Sequence, residues 1–337
     1  MKQSIFMTLS VIFSLTGILQ ANPADIYPTG KVDMVDFAVF TAAWLGDNTP
    51  TANWNPDCDI SDPSDGFIDE IDLEVLAANW LWTALDDMVW VYIEDPGVDD
   101  TGDSVPGHEA FNGYMSKYET TNAQYCLFLN DAIASGDITV SDNRVYGANG
   151  SNDGADFVGE KYCDTFAADS DSQIIYNGGV FIIRSRDGYD MSNHPVVEVS
   201  WYGATAFCNY YEYRLPTEWE WQAIADYDGS YDYGCGTTID QSKANYFDGD
   251  YANPLALSSD PYTTPVDYYS SYGYGMNDMA GNVWEWTSSC YYVDCDFGYR
   301  FIRGGSWCNY ASYCTVTYRI LDDPFGPGST IGFRVCR

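Results

Sequence analysis

The sequence predicts an α+β domain with few regular elements, preceded by a small all-α pair of helices that each follow an acidic loop. Three observations carry this expectation. Residues 89–337 alternate short strand-like runs with turns rich in Gly, Tyr, Asn and Asp. Only two stretches in that region have the caps and composition of helices. Ahead of it, one loop-helix unit occurs twice within residues 22–82.

At the N-terminus, Lys2 is followed by an apolar run from Ile5 to Leu19 that closes at Gln20-Ala21. A positive start, an apolar core and a small residue before Asn22 read as a secretory signal peptide over 1–21, cleaved after Ala21. The run is shorter than the roughly 20 residues that span a bilayer. The expectation is a secreted or cell-surface protein with no membrane span in the mature chain.

Composition narrows the partners. Fifty acidic residues against 14 basic ones leave a net charge of −36, which argues against nucleic acid and anionic membrane surfaces. That charge suits carboxylate clusters that hold calcium, and equally a plain solvated acidic surface. Cys58, Cys126, Cys163, Cys208, Cys235, Cys290, Cys295, Cys308, Cys314 and Cys336 in an exported chain point to disulfides, with the pairing open. Two histidines, His108 and His194, are too few for a multi-histidine metal centre.

The repeat begins with Asp25-Ile-Tyr-Pro-Thr-Gly-Lys-Val-Asp-Met-Val-Asp36, running into Phe37–Leu45. Its echo is Asp59-Ile-Ser-Asp-Pro-Ser-Asp-Gly-Phe-Ile-Asp-Glu-Ile-Asp72, running into Leu73–Leu81. Calcium needs oxygen ligands spaced around such a loop, and Gly30 and Gly66 permit its sharp turn. The pattern resembles the type I dockerin module, an EF-hand-like pair. That resemblance implies ligands Asp25, Asp33 and Asp36 in the first loop and Asp59, Ser61, Asp65, Asp69 and Asp72 in the second. Tyr27 and Thr29 deprive the first loop of charged ligands, so the second is the stronger calcium site. The implied partner is a cohesin-type or other surface scaffold domain. A helical pair that packs without metal is the alternative.

After a short linker, Val89-Trp-Val-Tyr-Ile alternates as a strand. Asn122–Ala132 follows Glu119-Thr-Thr and reads as a helix with a threonine cap. Glu218–Ala225 follows Pro216, with Thr217 as the cap and Glu220 completing a capping box.

A series of motifs runs in order through this region. They are Lys117-Tyr-Glu-Thr-Thr-Asn, His194-Pro-Val-Val-Glu-Val-Ser-Trp, Arg214-Leu-Pro-Thr-Glu-Trp-Glu-Trp, Gly281-Asn-Val-Trp-Glu-Trp, Arg303-Gly-Gly-Ser-Trp and Gly332-Phe-Arg. Together they resemble the formylglycine-generating, sulfatase-modifying factor family, which implies a C-type-lectin-like fold over 89–337. The resemblance implies one calcium site at Asp278, Glu285 and the Gly281 and Val283 carbonyls. It implies a second at Asn245, the Tyr246 carbonyl and a later carboxylate such as Asp260.

The family oxidises a cysteine of a sulfatase polypeptide to formylglycine with oxygen and copper(I). Copper(I) is soft and favours two thiolates. Cys314 matches the second family cysteine, but the first family position falls on Asn309, with Cys308 one residue early. In an extended segment that slip turns the side chain to the opposite face, which implies an impaired reaction. A disulfide between Cys308 and Cys314, or from either to Cys290, Cys295 or Cys336, is the structural alternative. Ser306, Trp284 and Tyr313 also match the family's active-site positions.

A different function class stays open. Cys308–Arg337 contains no Lys, Glu, Gln, Met or Trp, and every residue in it can be encoded by a codon ending in cytosine. That restriction resembles the variable proteins of diversity-generating retroelements, which display a changeable binding surface. Asn309, Tyr310, Ser312, Tyr313, Asp322 and Asp323 would then contact a variable ligand.

For the repeat, changing Asp59 and Asp72 together to Ala in residues 22–82 should weaken calcium binding roughly tenfold or more. Asp25→Ala should weaken it about threefold or less, both read by isothermal titration.

Overall fold

The computed structural model describes residues 88–95, 110–148, 157–291 and 298–337. The chain divides between Asp87 and Met88, and all described residues belong to the second unit. The signal segment and both acidic loops therefore lie outside the described residues.

The unit opens with an antiparallel hairpin, β1 (Trp90–Asp95) and β2 (Phe111–Ser116). Helix α1 (Asn122–Ser135) follows, with Thr121 and Gln124 forming a reciprocal capping box and Gly136 closing it in the left-handed region. Strands β3 (Ile138–Ser141), β4 (Arg144–Gly147) and β5 (Lys161–Asp164) make a three-stranded antiparallel sheet. Two small hairpins come next, β6 (Ile174–Asn177) with β7 (Val180–Ile183) and β8 (Ser185–Arg186) with β9 (Tyr189–Asp190).

Helix α2 (Trp201–Tyr210), capped by Ser200, is an addition to the two helices expected. Its sequence hides the helix because Gly203 and four aromatic residues lower helical propensity. Tertiary packing demands that glycine. A Cβ at Gly203 would collide with the Tyr162 carbonyl of β5 and the Tyr125 hydroxyl of α1. Helix α3 (Glu218–Ala225) has the capping box expected of Thr217 and Glu220.

The C-terminal half builds the four-stranded sheet that organises the domain. Strands β10 (Trp284–Cys290), β11 (Arg300–Arg303), β12 (Arg319–Asp322) and β13 (Ile331–Gly332) lie in the order β12-β11-β10-β13. The β10–β13 pair is parallel and the other two pairs are antiparallel. Between α3 and β10 the chain runs through turns, with no strand among the described residues.

Aromatic packing joins these pieces. Tyr125 and Phe128 of α1 meet Phe207 of α2 and Phe333 in one buried cluster with Trp286. A second cluster surrounds Trp221 of α3 with Ile93, Phe111, Met115, Met276, Met279 and Val316. Each buried side chain of this size contributes roughly 1.5–3 kcal/mol. Among the described residues, no helix is long and apolar enough to cross a membrane.

His194 is 1% exposed, and its Nδ1 lies 3.0 Å from Thr263 Oγ1. Burial, with help from the nearby Arg186 charge, pushes its pKa down to about 4. The folded state therefore holds the neutral ring. Its contribution to stability, about 3 kcal/mol, is complete above pH 6.5 and lost as pH falls toward 4. Urea unfolding of His194→Gln at pH 4.5 and 7 should show a shallower acid loss than the parent chain.

Candidate functional site

Two neighbouring features occupy the turn-rich face around the Gly281–Trp286 and Arg303–Trp307 motifs. One is a buried carboxylate network. Arg334, wholly buried, donates from Nε to Glu285 Oε2 at 2.6 Å and from Nη2 to Glu285 Oε1 at 2.7 Å. Trp221 Nε1 donates to the same Oε2 at 2.7 Å. Arg334 also donates to the carbonyls of Ser116, Lys117 and Asn277, which ties β2 and the turn before Gly281 to the C-terminal segment.

Glu119 completes the network by accepting from Asn282 Nδ2 at 2.6 Å and from the Val283 amide at 3.2 Å. Burial, then the charges of Asp278 and Glu285, hold the Glu119 carboxyl well above the usual range. Asp278, 7% exposed, has both carboxylate oxygens buried without a hydrogen-bond partner. Burial pushes its pKa up to about 8. One arginine thus faces three buried carboxylates.

Orphaned buried oxygens are what a hard cation would satisfy. Asp278 fits that role directly, and Asn245 Oδ1 is likewise buried and unpartnered. Gly281 and Val283 stand in the same turn, held by Gly281 N to Gly304 O and by Val283 N to Glu119. Glu285 differs, because its oxygens already receive Arg334 and Trp221. The Tyr246 carbonyl accepts from Gln241, while Asp260 is exposed and faces Asp171 and Arg186.

The second feature is a pair of thiols. Cys308 and Cys314 are both free, so the disulfide left open from sequence, between them or from either to a third cysteine, is not formed. The sulfurs engage different partners. Cys314, fully buried, turns under Gly305 toward the Tyr310 carbonyl at 3.9 Å and packs with Cys235, Ala244, Tyr246 and Ala280. Gly305 (φ 77°) must be glycine, since a Cβ there would sit 2.5 Å from Cys314 Sγ. Cys308 is partly exposed, with Sγ 3.5 Å from Ser306 Oγ.

The strand alternation expected to turn Cys308 away does not operate here. Trp307–Asn309 forms a turn, closed by Asn309 N to Ser306 O at 3.0 Å. In a turn, consecutive side chains can converge. Ser306 Oγ donates to Asn309 Oδ1 at 2.5 Å while also meeting the Cys308 sulfur. Burial, then Cys235 and also Cys308, push the Cys314 thiol up to about 12.

Trp284 and Tyr313 both pack against Tyr318, at ring distances of 6.1 and 4.9 Å. Tyr310 projects outward at 58% exposure and meets Phe247 edge-on at 5.0 Å. Ser312 and Asp323 are exposed and Asp322 is half-buried at the end of β12. Asp25, Asp33, Asp36, Asp59, Ser61, Asp65, Asp69 and Asp72 lie outside the described residues.

Sequence reasoning missed Glu119 and Arg334 as site residues, although each stands in a motif already singled out. It also missed Asp169, Asp171 and Glu198, whose carboxylate oxygens all lie within 4.8 Å of one another. Burial, then Asp169, Asp164 and Asp171, push the Glu198 carboxyl up to about 8.

A loop-rich α+β domain with a glycine-turn thiol pair beside a buried carboxylate network is a defined class of protein. Residues 101–337 match the sulfatase-modifying factor enzyme 1-like domain, and the chain belongs to that family. The serine/threonine-protein kinase pkn1 of Chlamydia caviae is 35% identical over 195 residues, covering 53% of this chain and 29% of that protein. The chain therefore spans about three tenths of the length of that relative. The formylglycine-generating enzyme of Mus musculus is 26% identical over 283 residues, covering 72% of this chain and 70% of that enzyme. Among solved structures, CarF aligns over 74% of this chain and 98% of its own, at 20% identity and a TM-score of 0.49.

Arg334→Met should cost about 3–5 kcal/mol, because it leaves buried carboxylates without their cation. Adding Glu285→Leu should recover part of that loss in urea unfolding at pH 7.

Proposed function

We propose that this chain is an exported thiol oxidase of the formylglycine-generating type, with Cys308 as the outer thiol and Cys314 as the inner one. The observation that carries this reading is the free Cys308 sulfur, 3.5 Å from Ser306 Oγ and partly open to solvent, beside a free, buried Cys314. The substrate would be a cysteine in a sulfatase polypeptide, which must come to the exposed side of Cys308.

The donor set fits copper(I), since both residues offer soft sulfur and both are free. Copper held by Cys308 and Cys314 would supply the oxygen-activating chemistry. The chain's own groups do the rest. Burial keeps the Cys314 thiol protonated at neutral pH, so a cation that binds the sulfur must displace its proton to water or a base. Ser306 holds Asn309 and faces the Cys308 sulfur, which fixes the turn that presents the thiol. Trp284, Tyr313 and Tyr318 form an aromatic group that begins at the residue before Cys314. The one-residue displacement of Cys308 makes this site slower than one with cysteine at 309.

Calcium has a place in the same reading. Asp278 and Asn245, with the carbonyls of Gly281 and Val283, would hold one ion that neutralises the buried network. Residues 22–82 would attach the chain, through their calcium loops, to a cohesin-type or other scaffold domain. The support for that attachment is the repeated loop-helix sequence.

The outward Tyr310 favours a second reading, a non-catalytic display surface. Tyr310, Phe247, Tyr251 and Trp307 form a contiguous aromatic cluster at ring distances of 4.9–5.6 Å, with Tyr310 and Tyr251 exposed and Trp307 buried beneath them. Rigid aromatic rings of this kind suit ligand contact at low entropic cost.

The reduced protein should bind one copper(I) in competition with a chromophoric chelator and consume oxygen with a cysteine-bearing sulfatase peptide. Cys308→Ser and Cys314→Ser should each lower turnover roughly a hundredfold or more. Cys308→Ala combined with Asn309→Cys should raise it above the parent. No copper binding in the reduced chain would overturn the oxidase reading. Ligand binding lost in Tyr310→Ala would then favour display.

A further inference from the structure

We infer that Asp169, Asp171 and Glu198 form a calcium site that braces the C-terminal segment near Gly328 and Ser329. The three carboxylates come from two distant parts of the chain. Asp169 and Asp171 occupy the turn between β5 and β6, while Glu198 lies in the segment before α2. One oxygen from each falls within 4.8 Å of the others. Calcium–oxygen bonds of about 2.3–2.6 Å place ligands on opposite sides of the ion up to about 5 Å apart. All the donors are hard oxygens, which suits calcium over zinc or copper.

Glu198 makes this more than a surface acidic cluster. It is 4% exposed, and among the described residues its carboxylate has no hydrogen-bond or ion-pair partner. Its backbone is held on both sides, Glu198 N to Gly328 O at 3.1 Å and Asp164 N to Glu198 O at 3.0 Å. With the backbone held, the side chain reaches toward the two aspartates, its oxygen within 4.8 Å of one from each. A buried carboxylate aimed at two others is costly unless a cation joins them.

Among the described residues no cation forms an ion pair with the three carboxylates, although Arg184 donates to the Ser170 carbonyl in the same turn and the Arg186 charge acts on Asp171. Lys161 pairs with Asp164 at 3.1 Å. Arg186 directs its guanidinium to the carbonyls of Pro261 and Ser259 and to Asp187. Asp260 adds a further negative charge near Asp171. Gln173, 1% exposed, donates to the Asp171 carbonyl and leaves its own Oε1 buried without a partner, a neutral oxygen next to the turn.

Calcium here would stiffen a segment that reaches the thiol site. Ser329 hydrogen-bonds to Asp171, and its carbonyl accepts from the indole of Trp307 at 3.2 Å. Trp307 precedes Cys308. The inference does not depend on the oxidase reading, because its readout is calcium itself.

The test uses equilibrium dialysis of the full chain with radioactive calcium, backed by calcium-induced shifts in thermal unfolding. Glu198→Gln should lower the bound calcium by about one ion per chain, as should the pair Asp169→Asn and Asp171→Asn. Asp278→Asn should remove a different ion, so that combining it with Glu198→Gln lowers the count further. Should Glu198→Gln fail to fold, the turn variant, which changes only half-buried residues, decides the question. Unchanged stoichiometry and affinity in the turn variant would overturn the site.

Discussion

The structure depends on how three buried carboxylates, Glu119, Asp278 and Glu285, share one buried arginine. Arg334 stands in the C-terminal segment, Glu285 in the central strand of the largest sheet, Glu119 just before the first helix and Asp278 in the turn that leads to that strand. Bringing them together requires three distant parts of the chain, around Glu119, Asp278–Glu285 and Arg334, to meet in one dry place. A charge left alone there would cost several kcal/mol, so each element is held in register by the needs of the others. Arg334 reinforces this by donating to three backbone carbonyls. Two of the sequence motifs, Gly-Asn-Val-Trp-Glu-Trp and Gly-Phe-Arg, owe much of their content to this junction.

The thiol pair hangs from the same junction. Gly281 donates its amide to Gly304, joining the carboxylate turn to the glycine pair that precedes Ser306. Gly305 then lets the chain pass over the Cys314 sulfur, and the following turn swings Cys308 back toward Ser306. The inner thiol is buried among Cys235, Ala244 and Tyr246, whereas the outer one is partly open to solvent. Aromatic side chains outside the turn, Tyr310 above all, set the surface that any incoming polypeptide or ligand would meet.

Negative charge is the other organising feature. With 50 acidic residues in the chain, repulsion is a standing cost. The carboxylates are not spread evenly, because Asp278 with Glu119 and Asp169 with Asp171 and Glu198 converge where calcium would offset them. This protein concentrates its charge at points that join loops, and a domain with so few regular elements needs such joints.

The sequence by itself determined the α+β class of the domain over 89–337, the threonine cap of α1, the capping box of α3, the first strand and the order of motifs, since these rest on local periodicity and on side chains that bond within three residues. It also singled out Trp284, Ser306 and Cys314 as motif positions, because the motifs carry their own spacing. Helix α2 was illegible for a tertiary reason. Gly203 and its aromatic neighbours answer to Tyr162 and Tyr125, not to helix propensity. The partners of Glu285, the grouping of Glu198 with Asp169 and Asp171, and the separation of Cys308 from Cys314 were decided only by the tertiary structure. Each joins residues far apart in the chain or depends on a turn whose direction no pattern of alternation encodes. What a cysteine one place early can reach is settled by whether its backbone is a strand or a turn, and here it is a turn.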